Sequence, residues 1–284
     1  MANGETSTTF SDLKPRLIAA ATLAILSGFF LIWGGFAFAG FIAAGMLLMT
    51  LEIVHIVRRD WDVPKLGAVL MGASAGVGVL VADMSMAAAF GAALVGVLLA
   101  SVISRQRPCW TGVAGYFLII LAGLAVVTLR MQPGGLWLVL WVVLCVVAAD
   151  VGGYAFGRRF QGPKFWPAVS PKKTWSGVLG GLFLTLVVAG IYGVASDGNV
   201  VGFLWLGAVI SIVSVAGDLL ESAAKRHYGV KDAGSILPGH GGLLDRFDGM
   251  TAVMIVFLAI LQLTDLQAIL GVDYSPPFVT SDGL

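Results

Sequence analysis

Residues 200–220 read Val200-Val-Gly-Phe-Leu-Trp-Leu-Gly-Ala-Val-Ile-Ser-Ile-Val-Ser-Val-Ala-Gly-Asp-Leu-Leu220, an apolar run with one ionisable residue, Asp218, close to its end. A helix needs about 20 consecutive apolar residues to cross a hydrocarbon core of about 30 Å. The run lacks the strict alternation of a barrel strand, and only helices and closed barrels can span a bilayer. The run therefore predicts a transmembrane helix that ends in a charged segment.

Runs of this kind recur along the chain, in which 58% of the residues are hydrophobic and 12% are charged. The composition and the runs together predict an all-α integral membrane protein with about nine transmembrane helices. The predicted spans are roughly residues 17–34, 36–57, 66–82, 86–103, 112–130, 135–153, 178–195, 200–220 and 250–270.

The placement of basic residues predicts the orientation of these spans. If the N-terminus is cytoplasmic, nine spans put every one of the 17 Lys and Arg residues except Arg130 on the cytoplasmic side. One missed or extra span would destroy this pattern, which follows the positive-inside rule. We therefore predict a cytoplasmic N-terminus and a multi-pass protein of a bacterial inner (plasma) membrane. The net charge of +1 gives no reason to expect a nucleic-acid partner.

The polar residues divide the chain into three predicted regions. Residues 1–16 form a polar cytoplasmic tail, residues 17–110 a transmembrane scaffold with short links, and residues 111–284 a transmembrane catalytic region. The catalytic region contains two longer cytoplasmic loops, 154–177 and 221–249, with Gly and Pro punctuation. These loops are where a membrane enzyme would meet water-soluble substrates.

Two smaller features of the spans carry structural predictions. Gly72 with Gly76, and Gly177 with Gly181, are small-xxx-small pairs, which let helices pack closely and could also support a homodimer. Glu52 and His55 lie one turn apart in the second span, and we expect them to pair with each other or to reach toward the interface.

The end of the eighth span carries a group of polar side chains at helical spacing. Asp218, Glu221, Ser222 and Lys225 lie at i, i+3, i+4 and i+7, so a helix that continues past the membrane edge presents all four on one face. An ionisable residue at membrane depth is costly and usually functional. The alternative is that Asp218 is a helix-end residue paired with Lys225 or Arg226.

A second acidic pair, Asp245 and Asp248, begins the ninth span after a Gly-rich turn. An acid at a helix N-terminus is favoured by the dipole, which explains one carboxylate better than two. Mg²⁺ prefers oxygen ligands, typically one or two carboxylates completed by water and phosphate. We therefore predict Asp218 and Asp245 as metal ligands facing each other, with Asp248 and Glu221 as further candidates. Four cations could neutralise phosphate oxygens: Lys225, Arg226, Lys231 and Arg246.

Three further positions are candidates for the same site. Lys172 and Lys173 precede the seventh span, where a helix N-terminus and two Lys could bind an anion. Asp150, at the cytoplasmic end of the sixth span, is a candidate third acid. His240 stands among glycines and could donate to a phosphate, transfer a proton or only stabilise the turn.

The segment Ser-x-x-Lys-Arg-x4-Lys-Asp-x5-Pro-Gly-His-Gly-Gly-x2-Asp-Arg-x-Asp, residues 222–248, resembles the motif of the phosphatidate cytidylyltransferase (CDP-diacylglycerol synthase) family. It matches at every polar position, and Ala224 stands where the family usually has a larger apolar residue. Residues 150–157 and 170–177 resemble two further blocks of the family, with Ser176 replacing the usual Glu. Gly217-Asp218-Leu-Leu-Glu-Ser222 resembles a third block.

The resemblance implies an enzyme that transfers CMP from CTP to phosphatidic acid at the bilayer, giving CDP-diacylglycerol and pyrophosphate. It implies Mg²⁺ as cofactor and leaves a second cation open. The implied metal ligands are the four acids named above, and Ser222, Arg246, Asp150, Lys172 and Lys173 are implied substrate contacts. The implied catalytic set is Asp218, Asp245, Lys225, Arg226, Lys231 and His240.

Two other classes of protein remain open. A lipid-alcohol kinase would share the nucleotide and the metal, whereas a CDP-alcohol phosphotransferase needs an Asp-Gly-x2-Ala-Arg arrangement that this sequence lacks. A transporter or channel would carry acids midway through several spans. Here nearly all the charge lies at predicted cytoplasmic ends, which favours an enzyme that works at one leaflet.

Overall fold

The computed structural model describes residues 13–57, 72–73, 76, 86–104, 110–234 and 241–272. The helices are α1 (Leu13–Trp33), α2 (Gly35–Val57), α3 (Met86–Ser104), α4 (Trp110–Met131), α5 (Gly135–Phe160), α6 (Trp175–Ala195), α7 (Val200–His227), α8 (Leu244–Leu263) and α9 (Leu266–Leu270). Strands β1 (Lys164–Trp166) and β2 (Ser170–Thr174) form an antiparallel hairpin. The all-α prediction is confirmed, apart from this hairpin.

Among the described residues, five helices are long and apolar enough to cross a membrane, namely α2, α4, α5, α6 and α7. Shorter apolar segments occur in α1 and α3. The chain is therefore a membrane protein. The first turns of α8 carry Asp245, Arg246 and Asp248, which shortens the apolar part of that helix. The count of nine spans stays a prediction, because much of the third predicted span lies outside the described residues.

The two longer predicted cytoplasmic loops, 154–177 and 221–249, contain regular structure. Helix α5 continues to Phe160 and α7 continues to His227, so both loops begin as helix. Hydropathy falls at these ends, but the basic residues there favour helix because cations stabilise the negative end of the helix dipole. The remaining part of the first loop contains the β-hairpin rather than irregular chain.

The predicted ninth span, 250–270, differs from the structure at both ends. Helix α8 begins earlier, at Leu244, and ends at Leu263. Asp265 then caps the short helix α9, because its side chain accepts hydrogen bonds from the backbone N–H groups of Gln267 at 3.0 Å and Ala268 at 3.2 Å. This cap, which hydropathy does not detect, interrupts the apolar run.

Contacts between helix ends agree with the predicted alternation of spans. Arg130, at the end of α4, donates from Nε to the Leu31 carbonyl oxygen at 2.9 Å, near the end of α1. The Asn199 N–H, at the start of α7, donates to the Leu270 carbonyl oxygen at 2.7 Å. In each pair, both residues belong to ends that the topology places on the outer side.

Glycines set the close packing of the helices that carry the polar loops. A Cβ on Gly181 of α6 would lie 2.6 Å from the Ala149 carbonyl oxygen of α5, and one on Gly177 would lie 2.8 Å from the Gly153 carbonyl oxygen. A Cβ on Gly72 would lie 3.0 Å from the Leu47 Cα. Both small-xxx-small pairs are thus confirmed as helix-packing positions within the chain.

The core of the second half is aromatic. Trp141 of α5 is fully buried and meets Phe203 of α7 edge-on at a ring-centroid distance of 5.0 Å. Phe257 of α8 packs against the same indole at 6.1 Å. These contacts join three helices in the part of the bundle away from their polar ends.

We expect Gly181→Ala to destabilise the protein, because its Cβ would collide with rigid backbone. Overpacking of this kind costs about 1–3 kcal/mol. Gly190→Ala is the matched control in the same helix, since its Cβ would make only an ordinary 3.5 Å contact with Leu204. Thermal unfolding of the detergent-solubilised variants would measure the difference, and equal midpoints for the two would contradict the packing argument.

Candidate active site

A polar cavity of about 410 Å³ lies between α5, α6, α7 and strand β2. Its charged and polar lining residues are Asp150, Tyr154, Arg158, Lys172, Lys173, Thr174, Ser214 and Asp218. These residues come from segments that are up to 68 positions apart in sequence. The cavity therefore joins the first predicted loop region to the end of the eighth predicted span in one site.

Local structure explains how the lysines reach this cavity. Thr174 ends β2 and caps α6, where its hydroxyl oxygen accepts from the Gly177 N–H at 3.2 Å. Glycines at the α5–α6 contact allow the hairpin to lie close, since a Cβ on Gly157 would meet the Thr174 hydroxyl at 3.1 Å. Lys172 and Lys173 directly precede this cap, so the start of α6 fixes their position.

Asp218 pairs with Lys173, not with the residues that its own helix offers. The Lys173 Nζ lies 2.7 Å from Asp218 Oδ2, and the Ser222 hydroxyl donates to Asp218 Oδ1 at 3.3 Å. The expected alternative pairing with Lys225 or Arg226 is therefore wrong. The two side chains are 22% and 39% exposed, so this ion pair contributes little to stability.

Lys225 forms the centre of a second, more buried cluster. Its Nζ lies 2.6 Å from Glu221 Oε2 and 2.5 Å from Asp245 Oδ1, with side-chain exposures of 10% to 13%. Asp245 also accepts from the Ala233 N–H at 2.9 Å and the Gly242 N–H at 2.8 Å. Burial alone would raise the pKa of Asp245, but Lys225 and these N–H groups outweigh it and hold the pKa below its ordinary value.

Five carboxylates run from the polar cavity to Lys225, and we call them the carboxylate row. They are Asp150, Asp218, Asp248, Glu221 and Asp245. Asp248 is close enough to Asp150, Asp218 and Glu221 for their charges to interact. In the described part of the chain, no three ligating side chains already stand at metal-binding distance.

An apolar cavity of about 580 Å³ lies on the other side of α7, between α2, α4, α7 and α8. Its polar end carries Glu221 and Asp248. Gly217 lines this cavity and Asp218 lines the polar one, so consecutive residues face the two cavities. A Cβ on Gly217 would lie 2.8 Å from the Asp248 carbonyl oxygen, and its absence brings α7 against α8.

The structure brings together most, but not all, of the predicted site residues. The predicted metal ligands all lie in the carboxylate row, and Asp150, Lys172 and Lys173 share the polar cavity with Asp218. Arg226, Lys231 and Arg246 have exposed side chains. His240 lies outside the described residues. The roles assigned to all of these residues stay predictions.

The sequence analysis missed Tyr154 and Arg158 as cavity residues. The Arg158 Nη1 donates to the Tyr154 hydroxyl at 2.7 Å, and its guanidinium lies 6.0 Å from the centre of that ring. Both residues are exposed at the cavity mouth. Asp150, Tyr154 and Arg158 are spaced four residues apart, which places them on one helix face. This signal is usable only if α5 continues past residue 153, where the predicted span ended.

The expectation for Glu52 was also wrong. Glu52 is 2% exposed, and its carboxylate accepts hydrogen bonds from the N–H groups of Leu243 and Leu244, 191 and 192 residues further along the chain. His55 is exposed. The spacing of Glu52 and His55 on one helix predicted a local pair. Hydrogen bonds from the backbone of a distant helix leave no pattern in the sequence, so they could not be predicted.

The fold and the cavity define a multi-helix membrane protein with an acidic and basic site at one end of its bundle. The chain belongs to the cytidylyltransferase family, whose model matches residues 14–264.

Two bacterial proteins are similar to part of this chain. A phosphatidate cytidylyltransferase of Haemophilus influenzae is 46% identical over 129 residues, which are 43% of this chain and 45% of that protein. The Staphylococcus aureus (strain COL) protein of the same name is 47% identical over 122 residues, 42% of this chain and 47% of its own length. The chain thus matches slightly less than half of the length of each relative.

We expect Lys225→Met to destabilise the protein strongly, because it leaves Glu221 and Asp245 buried without their cation. Removing one partner of a buried ion pair costs about 3–5 kcal/mol. Unfolding in detergent would measure the loss, with the exposed Lys164→Met of β1 as the control. Adding Glu221→Gln to Lys225→Met should recover part of the stability. Equal stability of Lys225→Met and Lys164→Met would contradict a structural role for this cluster.

Proposed function

We propose that this chain transfers CMP from CTP to phosphatidic acid, giving CDP-diacylglycerol and pyrophosphate. The observation that carries the proposal is the polar cavity lying directly across α7 from the apolar cavity, with carboxylates between them. Membership of the cytidylyltransferase family and the names of the relatives support it. The reaction needs one water-soluble anion and one lipid anion to meet at the membrane surface.

The polar cavity suits the nucleotide. Its volume of about 410 Å³ falls within the usual range for small-molecule sites. Lys172, Lys173 and Arg158 line it and can donate charge-assisted hydrogen bonds to phosphate oxygens. We assign the triphosphate of CTP to these three cations.

The apolar cavity suits the acyl chains of phosphatidic acid. It is larger, at about 580 Å³, and its lining is mostly aliphatic, with Glu221 and Asp248 as its carboxylates. A lipid bound with its chains in this cavity would present its phosphate near Gly217, the neighbour of Asp218 in the polar cavity. The two substrates then approach each other from opposite sides of α7.

In the proposed reaction, an oxygen of the lipid phosphate attacks the α-phosphorus of CTP. The bond between the α-phosphorus and the bridging oxygen to the β-phosphorus breaks, and pyrophosphate leaves with that oxygen. A phosphate monoester is already ionised near neutral pH, so no strong base is required. The protein contributes by positioning both anions and by placing cations where charge develops on the leaving group.

The carboxylate row fits a divalent cation in its donor chemistry, because hard cations prefer carboxylate oxygens. Asp218 and Asp248 come from facing helices and are close enough for their charges to interact. We propose that Asp218 and Asp248 hold Mg²⁺, since one or two carboxylates suffice when water and phosphate complete the shell. The ion would neutralise phosphate charge during transfer. Asp245 already accepts from Lys225 and two backbone N–H groups, so a ligand role for it requires that these contacts rearrange.

The site would face the cytoplasm of a bacterial inner membrane. The proposal follows from the positive-inside rule, because both cationic loops lie at the end of the bundle opposite Arg130. CTP would then reach the polar cavity directly from water, and phosphatidic acid would enter from the adjoining leaflet.

The first test is an assay of the purified full chain with phosphatidic acid and CTP labelled at the α-phosphorus, with and without Mg²⁺. We expect label to appear in lipid only with Mg²⁺. Asp218→Asn should lose about 100-fold or more of this activity, because it weakens both charge neutralisation and cation binding. Asp265→Asn is the control: Asp265 caps α9, a role that Asn also fills.

Four other outcomes would contradict the proposed function or part of it. No labelled lipid from folded protein would overturn the proposal. Transfer of the γ-phosphate of CTP to a lipid alcohol would assign the chain to lipid-alcohol kinases. Full activity of Asp218→Asn would show that this carboxylate has no role in the reaction. Activity that persists in the presence of a chelator would show that the reaction needs no divalent cation.

Lys172→Met tests the nucleotide site separately. Lys172 lines the polar cavity and Lys164 of the same hairpin does not. Loss of a charge-assisted contact to phosphate should raise the KM for CTP roughly tenfold or more. The KM for phosphatidic acid should change less, and Lys164→Met should leave both unchanged. Steady-state kinetics in mixed micelles would measure these values, and an unchanged KM for CTP would place the triphosphate elsewhere.

A further inference from the structure

Glu52 is a buried acid in the helix α2, far in sequence from the candidate site. It is 2% exposed, and α2 is one of the helices able to cross a membrane. A carboxylate in such a place is stabilised only by strong local donors. Glu52 has two of them: the Leu243 N–H donates to Oε1 at 2.8 Å and the Leu244 N–H donates to Oε2 at 2.7 Å.

These two N–H groups belong to the start of α8, which lacks a cap of its own. Leu243 occupies the capping position and has no side chain that can accept a hydrogen bond. The first N–H groups of a helix need acceptors from outside the helix. Glu52 supplies them from α2, and its negative charge is favourable at the positive end of the α8 dipole.

The backbone on both sides of the segment 235–240 packs against the same carboxylate. A Cβ on Gly234 would lie 2.9 Å from Glu52 Oε1, and one on Gly242 would lie 2.8 Å from Oε2. Only glycine allows so close an approach without a shift of the chain. Glu52 therefore meets the described chain before this segment, the chain after it and the first turn of α8.

Asp245 connects this arrangement to the site. It lies in the first turn of α8, directly after the two residues that Glu52 holds, and accepts from the N–H groups of Ala233 and Gly242. Asp245 also forms an ion pair with Lys225, and Lys225 forms a second ion pair with Glu221. A shift of the start of α8 would therefore move Asp245 and disturb its ion pair with Lys225, and through Lys225 the ion pair with Glu221.

We infer that Glu52 is a positioning residue of the transfer reaction, which sets the start of α8 and thereby the place of Asp245 and Lys225. The inference rests on the proposed function for its kinetic part and on contacts alone for its structural part. The first half of the chain would then contribute to the site, because α2 provides the hydrogen-bond acceptor that the N-terminus of α8 lacks. Glu52 itself does not line the polar cavity.

Glu52→Gln is the sharpest test, because it keeps the shape and replaces one acceptor oxygen by a donor. The new NH₂ group would face a backbone N–H, so one of the two hydrogen bonds is lost. Thr50→Val is the matched control: Thr50 lies in the same helix, is 0% exposed and donates only to the Met46 carbonyl oxygen.

Two readouts separate positioning from a merely structural role. Hydrogen exchange of the full chain in detergent should show faster exchange of the Leu243 and Leu244 amides in Glu52→Gln, by roughly 10-fold to 100-fold. The kcat should fall by about tenfold or more, while the KM for CTP stays within about twofold, because Lys172 and Lys173 are not displaced. Thr50→Val should leave both the local exchange and the kcat near the wild-type values.

The inference would be overturned by wild-type exchange and kcat in Glu52→Gln, or by faster exchange spread evenly over all helices. A rise in the KM for CTP that accounts for the whole loss would also overturn it. If the wild-type chain makes no CDP-diacylglycerol, the proposed function fails, and the exchange comparison still decides whether Glu52 holds α8.

Discussion

The carboxylate of Asp245 is the contact on which the polar end of the bundle depends. It joins Lys225 of α7, the N–H of Ala233 in the following loop and the N–H of Gly242 before α8. A buried lysine between two acids is stable only while all three stay together, since an unpaired buried charge is costly. The described residues on either side of 235–240 are therefore held to α7 and α8 by charge, and the geometry of the carboxylate row follows from it.

Small residues then decide how close the four helices around the site can come. Glycines at the α5–α6 and α7–α8 contacts place backbone against backbone, as the short distances at Gly181 and Gly217 show. Close packing brings Asp150 of α5, Lys173 of β2 and Asp218 of α7 around one cavity. In a bilayer, where apolar burial between helices gains little, such packing and the polar contacts are what hold the bundle.

The sequence was sufficient to predict the helical membrane fold and most of the residues that gather at the candidate site, because hydropathy and the spacing of charges are local signals. Asp218, Glu221, Ser222 and Lys225 on one helix face follow from a period of 3.6 residues, and the structure has these contacts. Pairings between distant segments were not predictable in this way. Lys173 with Asp218 and Glu52 with Leu243 are set by how helices cross, and the Asp265 cap that ends the last apolar run is invisible to hydropathy.

The two ion clusters differ in exposure, and this difference assigns them different parts in the proposed reaction. Lys225 is 13% exposed and bound by two acids, so breaking its contacts is costly, whereas Lys173 is 22% exposed and its partner Asp218 is 39% exposed. A phosphate that enters the polar cavity can therefore compete with Asp218 for Lys173 at little cost. The same exchange would free an Asp218 oxygen for a cation, so that binding of the nucleotide would prepare the metal site while the Lys225 cluster keeps α7 and α8 in place.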